Sequence, residues 1–406
     1  MRCRKRCFVT VKGDARVLLL LTERFPPDLG GVARSASRTS AAIVRLGWQV
    51  HVVAWTKSLA PGTLESTVNS EGVNVYRIGL FSNWDFSMQH TSNMLDWLHG
   101  EFSFSAVWGH YLFPAGYLAV VFARSVGLPS TISARGNDVD RLMFPPGDFA
   151  RLLWTIERAA VVSCVSTDLA KKIQVLVSSD LEVEVLPNVV DAETFQPVAE
   201  VDQTDLRRSL KIAPDESVLG FCGELRHKKG LPFILSALVH VRQSRSACLL
   251  VIGEIRPREQ AHLAAFAAEH PDAASRILVT GHVERQEDVA RHFQLCDVML
   301  QPSVWDGLPN AVLEAMACEL IVLGSDAGGI PEAITHGQNG FVIPTAQLNR
   351  LGTAVLEVLD MEGPAKAAIG AAARRTILQS FQDDAEARRL EKLLSRLAPR
   401  SSISHS

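Results

Sequence analysis

Two carboxylates stand eight positions apart in a stretch where the residue types change abruptly, "SVWDGLPNAVLEAMA". Asp306 lies in a turn that contains glycine and proline, and Glu314 lies in the apolar segment that follows. Pro309 suits the first turn of a helix, because that turn does not need the amide hydrogen that proline lacks. A helix that starts there places Glu314 about 7–8 Å along its axis, at about 1.5 Å per residue.

The start of such a helix favours one kind of ligand. Free N–H groups and the helix dipole attract phosphate to a helix N-terminus. A diphosphate bound there would leave a ribose beside Glu314, whose carboxylate accepts hydrogen bonds from hydroxyl groups. Asp306 would then face a sugar at the other end of the same ligand. For an isolated pair of acids, the alternative is a capped helix with two solvated carboxylates.

The elements that must position these acids are short apolar runs that alternate with helical patterns. Runs of Val, Ile and Leu without polar alternation indicate strands covered on both faces, and therefore parallel sheets. Alternation of strand and helix throughout predicts an α/β fold of two Rossmann-like, doubly wound domains. The predicted strands are Val17–Leu21, Gln49–Trp55, Val73–Ile78, Ala106–Trp108, Ser130–Ala134 and Val161–Val165 in the first half, and Val218–Cys222, Cys248–Ile252, Arg276–Val279, Asp297–Gln301, Leu320–Gly324 and Phe341–Ile343 in the second.

The predicted boundary between the domains is the polar stretch Phe195–Asp205, which interrupts the alternation. We therefore expect an N-terminal domain over residues 15–195 and a C-terminal domain over residues 196–375. Residues 1–14 and the final "SSISHS" are expected to be loose ends. Residues 376–406 hold the last predicted helix, from about Phe381 to Leu397, which can pack back across the interface between the domains.

The loops that follow the strands carry the glycines and the charges. In open parallel sheets, ligands bind beyond the carboxyl ends of the strands. The sequences "ERFPPDLGG", "GHYLFPAG" and "RGNDVD" follow predicted strands of the first half, and "GELRHKKG", "GEIRP", "GHVE" and "PSVWDGLPN" follow those of the second. Two loop-rich sheet edges that face each other imply a binding cleft between the domains.

Composition excludes several classes of protein. The net charge of −3 over 406 residues gives no electrostatic support for nucleic-acid binding. The seven cysteines are scattered, and Cys3 and Cys7 are not completed to a metal site by a second pair, so a reducing cytoplasm fits best. No segment approaches the roughly 20 apolar residues that span a bilayer, and the run after the basic N-terminus is too short for a signal peptide.

The order of the motifs resembles that of the retaining glycosyltransferases of family 4, which have the GT-B fold. "PSVWDGLPNAVLEAMA" and "GSDAGGIPEAITHGQNGFVI" resemble the family's E-x7-E region, and "GELRHKKG" resembles its phosphate clamp. "RFPPDLGGVAR" and "VWGHYLFPAGYLA" resemble its first Gly-rich loop and its His-containing loop. "ISARGNDVDR", "VSCVSTDLAKKI" and "VLPNVVDAETFQP" complete the series, so the resemblance covers nearly the whole chain.

The resemblance implies roles for residues on the donor side. Lys229 would hold the diphosphate of a nucleotide sugar, Glu314 the ribose hydroxyls, and Asp306 a hydroxyl of the transferred sugar. The backbone of Val283 would contact the base. Backbone N–H groups that would add to the diphosphate site belong to Gly30, Gly31, Gly307 and Leu308.

On the N-terminal side, His110 would lie near the reacting sugar, while Arg135 and Asp138 would line the cleft. An ion pair between Arg135 and Asp138 is the alternative for those two. Arg34, Arg38 and Arg45 recur at near-helical spacing after the first Gly-rich loop. A solvated charged face is one interpretation of that spacing, and peripheral contact with anionic lipid is another.

Three departures from the family pattern concern the site. Asp306 replaces the usual Glu and is one methylene shorter. Glu224 replaces the usual Arg of the phosphate clamp, and we expect Arg226, two residues on, to supply the missing positive charge beside Lys229. Glu319 stands where the family prefers glycine.

The sequence therefore predicts a metal-independent enzyme without a cofactor, which transfers a sugar from a nucleotide diphosphate sugar to a hydroxyl of a glycan, lipid-linked or small-molecule acceptor. Retention at the anomeric carbon is implied by the resemblance alone. Cytoplasmic location follows, with peripheral contact at the inner face of the membrane as an extension. The alternatives are a non-catalytic or partner-dependent homologue, an epimerase of nucleotide sugars and, more weakly, a dehydrogenase, for which no G-x-G-x-x-G follows the first strand.

Overall fold

The computed structural model describes residues 16–28, 30–142, 146–197 and 203–397. The expected loose ends, residues 1–14 and "SSISHS", lie outside the described residues. Within the described residues, no helix is both long enough and apolar enough to cross a bilayer.

The first half of the chain forms an eight-stranded sheet with the strand order β3-β4-β2-β1-β5-β6-β7-β8. Every pairing in it is parallel except that of β3 with β4, which is antiparallel. The strands are β1 (Val17–Thr22), β2 (Gln49–Thr56), β3 (Leu64–Val68), β4 (Asn74–Gly79), β5 (Ala106–His110), β6 (Ser130–Ala134), β7 (Val161–Cys164) and β8 (Val183–Val185).

Helices cover both faces of this sheet, which is why β1, β5 and β6 are buried along their whole length. Separate apolar clusters pack on the two faces, one around Leu18 and Leu20 and another around Leu19 and Leu21. The helices are α1 (Gly31–Arg45), α2 (Trp84–Phe102), α3 (Tyr117–Ser125), α4 (Asn137–Leu142), α5 (Pro146–Arg158) and α6 (Thr167–Leu176), with a helical turn at Leu112–Gly116.

The second half forms a six-stranded, wholly parallel sheet with the order β11-β10-β9-β12-β13-β14. Its strands are β9 (Ser217–Cys222), β10 (Ala247–Ile252), β11 (Ile277–Val279), β12 (Val298–Gln301), β13 (Val322–Ser325) and β14 (Phe341–Ile343). The helices of this half are α7 (Gln203–Ser209), α8 (Leu231–Arg242), α9 (Gln260–Glu269), α10 (Pro271–Ala274), α11 (Gln286–Phe293), α12 (Asn310–Ala317), α13 (Ile330–Ala333) and α14 (Leu351–Asp360), with short turns at His227–Lys229, Pro257–Glu259 and Thr345–Arg350.

The chain passes between the halves twice. After β8, Val190, Ala192 and Phe195 already pack in the apolar core of the second sheet. At the other end, α15 (Gly363–Ser380) packs on the second half, and α16 (Asp383–Ser395) returns to the first. The domain limits at residues 195 and 375 stay predictions, because residues 198–202 lie outside the described residues.

The return of α16 is driven by its apolar stripe. Leu390, Leu393 and Leu394 are buried, together with Leu397, in the cluster formed by β1, β2 and α1. Their spacing of three and four residues places them on one face of the helix. The predicted helix that packs back across the interface is therefore present.

All twelve predicted strands are present, with ends within two residues of those expected. Two further strands, β3 and β8, were not predicted. β3 has the sequence LESTV and is largely exposed, and it is an edge strand paired antiparallel with β4. β8 has only three residues, of which the central one is Glu184. Neither has the apolar run that marks a strand covered on both faces.

Candidate active site

The turn that carries Asp306 joins β12 to α12 at the carboxyl edge of the second sheet. Pro309 precedes the helix, which begins at Asn310, so that Glu314 is in its second turn. The Asp306 carboxylate accepts hydrogen bonds from Ser303 Oγ at 3.1 Å and from the backbone N–H of Gly307 at 3.1 Å. These two bonds hold the carboxylate within its own turn.

Lys229 ends the helical turn that follows β9, and its ammonium forms an ion pair with Asp306. Both side chains are largely buried, with 19% and 14% of their surface exposed. Burial alone would raise the pKa of Asp306, but Lys229 and Lys228 hold it below its usual value, so the acid is ionised. The residues assigned to the diphosphate and to the sugar thus contact each other, which the sequence did not predict.

A glycine is required beside Lys229. Gly230 has a φ of 86°, and a Cβ there would lie 2.1 Å from the carbonyl oxygen of Pro302. Only glycine tolerates both the left-handed conformation and so close an approach. The Lys229 turn is therefore packed directly on the end of β12, next to the Asp306 turn.

The negative charge of Glu224, which stands where the resembled family has Arg, is compensated by two neighbouring arginines. Glu224 accepts hydrogen bonds from Arg256 Nε at 2.9 Å and Nη2 at 2.7 Å, and Arg226 Nη1 lies 3.4 Å from the same carboxylate. Burial alone would raise the pKa of Glu224, but Arg256 and Arg226 lower it. Arg226 Nε is buried without a hydrogen-bond partner. Arg256, which lies in the "GEIRP" loop, was not singled out from the sequence.

Glu314 is 5% exposed and lines a cavity of about 420 Å³ between the two halves of the chain. Its Oε1 accepts a hydrogen bond from Arg34 Nη1 at 3.2 Å, across the interface, while its Oε2 is buried with no partner. Burial raises the pKa of Glu314, and Arg34 opposes that rise. A buried oxygen without a partner is rare in folded proteins and requires an explanation.

The arginine face of α1 contacts the second half and the C-terminal helix. Arg38 donates to both oxygens of Glu386 at 3.2 Å, and Arg45 pairs with Asp383 at 3.2 Å. With Arg34 on Glu314, each of the three arginines has a carboxylate partner. The side chains of Arg34 and Arg45 are 46% and 54% exposed, as a solvated charged face predicts, but α1 also forms one wall of the interdomain cavity.

His110 is fully buried at the end of β5. Its Nε2 lies 2.7 Å from Ser35 Oγ, and Arg135 Nη2 donates to the same hydroxyl at 2.5 Å. Burial, and then the charges of Arg135 and Arg38, lower the pKa of His110 well below its usual value, so the ring is neutral. Ser35 links these two predicted site residues, and nothing in the sequence distinguishes it from other serines.

Arg135 and Asp138 do not form a side-chain ion pair. The Asp138 carboxylate accepts from the backbone N–H groups of Leu112 at 3.0 Å and of Arg135 at 3.0 Å. Burial raises the pKa of Asp138 to about 6, against the lowering effect of these backbone hydrogen bonds. Asp138 therefore fixes the loops after β5 and β6 to each other.

The remaining predicted donor contacts are backbone groups. Gly30 precedes α1 with a φ of 126° and Gly31 is its first residue; a Cβ at either position would meet nothing within 4 Å. Val283 is partly buried against the second core, in the loop between β11 and α11. Leu308 is buried, and its carbonyl accepts a hydrogen bond from Asn188 Nδ2 at 2.7 Å.

The two halves touch at their glycines. A Cβ on Gly136 would lie 2.9 Å from the nitrogen of Gly307, and a Cβ on Gly307 would lie 2.6 Å from the carbonyl oxygen of Arg135. The Asp306 turn thus abuts the loop that carries Arg135. Among the described residues, no group of three or more His, Cys, Asp or Glu side chains could hold a metal ion.

Comparison with known proteins identifies this arrangement. The family of glycosyl transferases group 1 matches residues 216–361, and the glycosyl transferase 4-like domain matches residues 30–189. N-acetyl-alpha-D-glucosaminyl L-malate synthase of Bacillus anthracis is 22% identical over 88% of this chain and 92% of its own length. The GDP-mannose-dependent monoacylated alpha-(1-6)-phosphatidylinositol monomannoside mannosyltransferase of Corynebacterium glutamicum is 24% identical over 94% of this chain and 98% of its own.

Among solved structures, Anabaena HepE in complex with UDP and glucose superimposes with a TM-score of 0.76 at 17% identity, over 94% of this chain and 99% of that one. Two Rossmann-like sheets that face each other across a cleft, together with these matches, define a GT-B enzyme that uses a nucleotide sugar. The chain belongs to the family 4, group 1 glycosyltransferases.

Proposed function

We propose that this enzyme transfers a sugar, with retention at the anomeric carbon, from a nucleotide diphosphate sugar to a hydroxyl of a glycan, lipid-linked or small-molecule acceptor. The observation that carries the donor assignment is the buried Oε2 of Glu314, which has no partner although Glu314 is one of the residues that line the interdomain cavity. A ribose hydroxyl donated to that oxygen satisfies it. Support for retention is family membership.

The leaving group in such a transfer is a nucleoside diphosphate, and its developing charge needs preorganised donors. Lys229 pairs with Asp306, and Lys228 and Arg226 lie close enough for their charges to act on the same carboxylate. Burial lowers the pKa of Lys228 to about 8, so it still carries a proton at neutral pH. In the proposed reaction these cations, together with the Gly307–Leu308 turn and the start of α1, stabilise the diphosphate, and no metal ion is required.

Binding the donor requires exchange of partners. Lys229 must leave Asp306 to contact phosphate, and Asp306 is then available to a hydroxyl of the transferred sugar. On the opposite side of the cleft, Ser35 contacts the ring of His110, which burial keeps neutral and therefore able to accept or donate one hydrogen bond beside the sugar. Close approach of the Gly136 and Gly307 backbones brings the two sides of the cleft together beside Asp306.

The same ion pair favours one rival function, a homologue that binds nucleotide sugar without catalysis, since Lys229 is already neutralised by Asp306. Incubation with UDP- and GDP-sugars, with and without acceptors, decides between the two. Release of nucleoside diphosphate that depends on acceptor, unchanged by EDTA, and an α-linked product from an α-linked donor by NMR support the proposal. Donor binding without turnover supports the rival, and donor turnover without acceptor supports an epimerase.

Location in a reducing cytoplasm is part of the proposal. The five cysteines of the described residues have free thiols, and burial raises the pKa of Cys164, Cys248 and Cys318 to about 12. They behave as small apolar residues rather than as redox groups. Lipid contact through Arg34, Arg38 and Arg45 is not proposed, because these arginines pair with carboxylates of the same chain.

A further inference from the structure

Three polar side chains from different elements of the first half form a hydrogen-bonded chain. Ser35 lies in the second turn of α1, His110 ends β5, and Arg135 directly follows β6. Ser35 and His110 are buried, with 3% and 0% of their surface exposed. The carbonyl oxygen of Arg135 abuts Gly307 in the turn that carries Asp306. The three side chains therefore adjoin the region in which the donor sugar is proposed to bind.

The direction of each hydrogen bond follows from the groups around the Ser35 hydroxyl. The guanidinium of Arg135 has only donors, so its Nη2, 2.5 Å from Ser35 Oγ, donates to the hydroxyl oxygen. Two acceptors are near the hydroxyl proton, Nε2 of His110 at 2.7 Å and the carbonyl oxygen of Val32 at 3.4 Å. The second distance lies beyond the range of about 2.5–3.0 Å that O–H···O hydrogen bonds occupy. Within the described part of the chain, His110 Nε2 is therefore the acceptor for the Ser35 hydroxyl proton.

The opposite assignment leaves a proton without a good acceptor. If Nε2 of His110 carried the proton, Ser35 Oγ would accept two hydrogen bonds, one of them from Arg135. The hydroxyl proton would then have only the distant carbonyl of Val32. The ring is neutral, since burial and then the charges of Arg135 and Arg38 lower the pKa of His110 well below its usual value. A neutral ring with a bare Nε2 carries its proton on Nδ1.

The charge of Arg135 strengthens this arrangement. A hydroxyl that accepts a hydrogen bond from a cation becomes a better donor, because successive hydrogen bonds polarise one another. The chain of bonds then runs in one direction, from Arg135 through the Ser35 hydroxyl to Nε2 of His110. Ser35 thus links the charge of the arginine to the tautomer of the histidine.

The other ring nitrogen of His110 is the group left for a ligand. Nδ1 is buried and has no hydrogen-bond partner among the described residues. A buried N–H group without a partner is costly, so an acceptor supplied by a ligand would be bound favourably there. A hydroxyl oxygen of a sugar is such an acceptor.

We propose that Ser35 is a positioning residue that holds His110 in the tautomer with its proton on Nδ1, and that this N–H donates to a hydroxyl oxygen of the donor sugar. The second part rests on the proposed function, whereas the first concerns the free enzyme. Ser35 acts on the sugar through the ring of His110. An N–H fixed in this way favours a sugar with a hydroxyl oxygen at that place over one that lacks it.

Nuclear magnetic resonance of enzyme labelled with ¹⁵N in its histidines tests the tautomer at neutral pH without any ligand. A protonated and a bare ring nitrogen differ in ¹⁵N chemical shift, and His110→Asn identifies the His110 signals by their loss. We expect the proton on Nδ1 in the wild type. Ser35→Ala should allow the tautomer with the proton on Nε2 to appear, whereas Ser35→Thr, which keeps the hydroxyl, should retain the wild-type tautomer.

Ser40→Ala is the matched control for the loss of a buried hydroxyl. Ser40 is fully buried in the same helix, and its hydroxyl donates to the carbonyl of Ser37 at 2.8 Å. Its removal should leave the His110 signals unchanged. A proton on Nε2 of His110 in the wild type overturns the proposal, and so does an unaltered tautomer in Ser35→Ala. The wild-type spectrum decides the matter even if Ser35→Ala does not fold.

The contact with the sugar is tested by comparing ligands with and without it. Calorimetry compares UDP with UDP-glucose, and GDP with GDP-mannose, on wild type, Ser35→Ala and Ser40→Ala. Ser35→Ala should reduce the affinity for the nucleotide sugar about two- to tenfold, as one hydrogen bond is lost, and leave that for the nucleoside diphosphate unchanged. Equal changes for both ligands, or no change for either, overturn the contact with the sugar.

The proposed function and the role of Ser35 fail separately. If neither UDP nor GDP binds, the proposed function fails and the contact with the sugar fails with it, but the spectrum of the free enzyme still decides the tautomer. If nucleoside diphosphate binds and Nε2 of His110 is protonated, only the role of Ser35 fails.

Discussion

Replacing Asp306 with Asn should tighten the binding of nucleoside diphosphate while it slows sugar transfer. In the structure the Asp306 carboxylate pairs with Lys229, the lysine proposed to hold the diphosphate. Asn has nearly the same shape and still accepts the hydrogen bond from the Gly307 N–H, so the turn is preserved. Loss of the charge releases Lys229 for the ligand.

The size of the effect follows from the competing interaction. Asp306 is ionised, because Lys229 and Lys228 outweigh the effect of burial and lower its pKa. A hydrogen bond to a charged group stabilises by about 1.5–3 kcal/mol. When Asp306 no longer competes with the phosphate for Lys229, nucleoside diphosphate should therefore bind roughly ten- to a hundredfold more tightly. A phosphate charge about 5–6 Å from Asp306 is also repelled by about 3 kcal/mol at an effective dielectric constant of 20, in the same direction.

The assay is calorimetric titration of UDP and GDP into wild type, Asp306→Asn, Lys229→Ala and the double variant. Lys229→Ala should weaken the binding of nucleoside diphosphate. Asp306→Asn should increase that affinity less in the Lys229→Ala background than in the wild type. Asp326→Asn, in an exposed loop where Asp326 binds Thr345, is the control. Transfer by Asp306→Asn should fall at least tenfold, as a sugar contact is lost. Binding by Asp306→Asn no tighter than that of the wild type would refute the reasoning.

Three further predictions concern other parts of the chain. Glu314→Gln should weaken nucleoside diphosphate binding roughly ten- to a hundredfold by calorimetry, because an amide accepts ribose hydrogen bonds less strongly than a carboxylate; unchanged affinity contradicts the ribose role. Burial lowers the pKa of His51 to about 4, so the stability from its neutral ring is complete above pH 6.5 and is lost as the pH falls towards 4. His51→Phe should therefore be less destabilising, relative to wild type, at pH 5 than at pH 7.5 in urea titrations, and a constant difference contradicts this. Glu319 has a φ of 61°, so Glu319→Gly should stabilise the protein by about 1 kcal/mol in thermal melts, whereas Glu319→Ala, which keeps the left-handed strain, should not.

The strands and the site loops could be predicted because their signal is local. A strand buried on both faces needs a continuous apolar run. β1, β5 and β12 each have such a run, which can be recognised without knowledge of the neighbouring strands. The edge strand β3 has no such run, because its stability comes from hydrogen bonds to β4 rather than from burial. The backbone of Glu319 has a local cause as well, since this residue follows the end of α12 in the left-handed conformation while the N–H of Leu320 binds the carbonyl of Ala315.

The partners of the charged residues could not be predicted, because they depend on how the halves are placed. Arg34 and Glu314 are 280 positions apart, and Lys229 and Asp306 are 77 apart. The loops that follow the strands predicted that these residues lie in one cleft. They did not predict which cation pairs with which carboxylate. At position 224 the sequence predicted that Arg226 would supply the positive charge lost from the phosphate clamp, and only the structure shows that Arg256 binds Glu224 through two nitrogens.

These pairings have a common physical cause. Largely buried carboxylates such as Asp306 and Glu314 are costly without a cation, and the cleft supplies one to each from its own residues. A donor that binds as proposed replaces Lys229 at Asp306 with a sugar hydroxyl and adds a ribose hydroxyl at the free oxygen of Glu314. Because Arg34 belongs to the first half and Glu314 to the second, that ion pair is one of the contacts between the halves, beside the packing of α16 and the contact of Gly136 with Gly307. In the proposed binding mode the donor therefore contacts a carboxylate that already bridges the two halves.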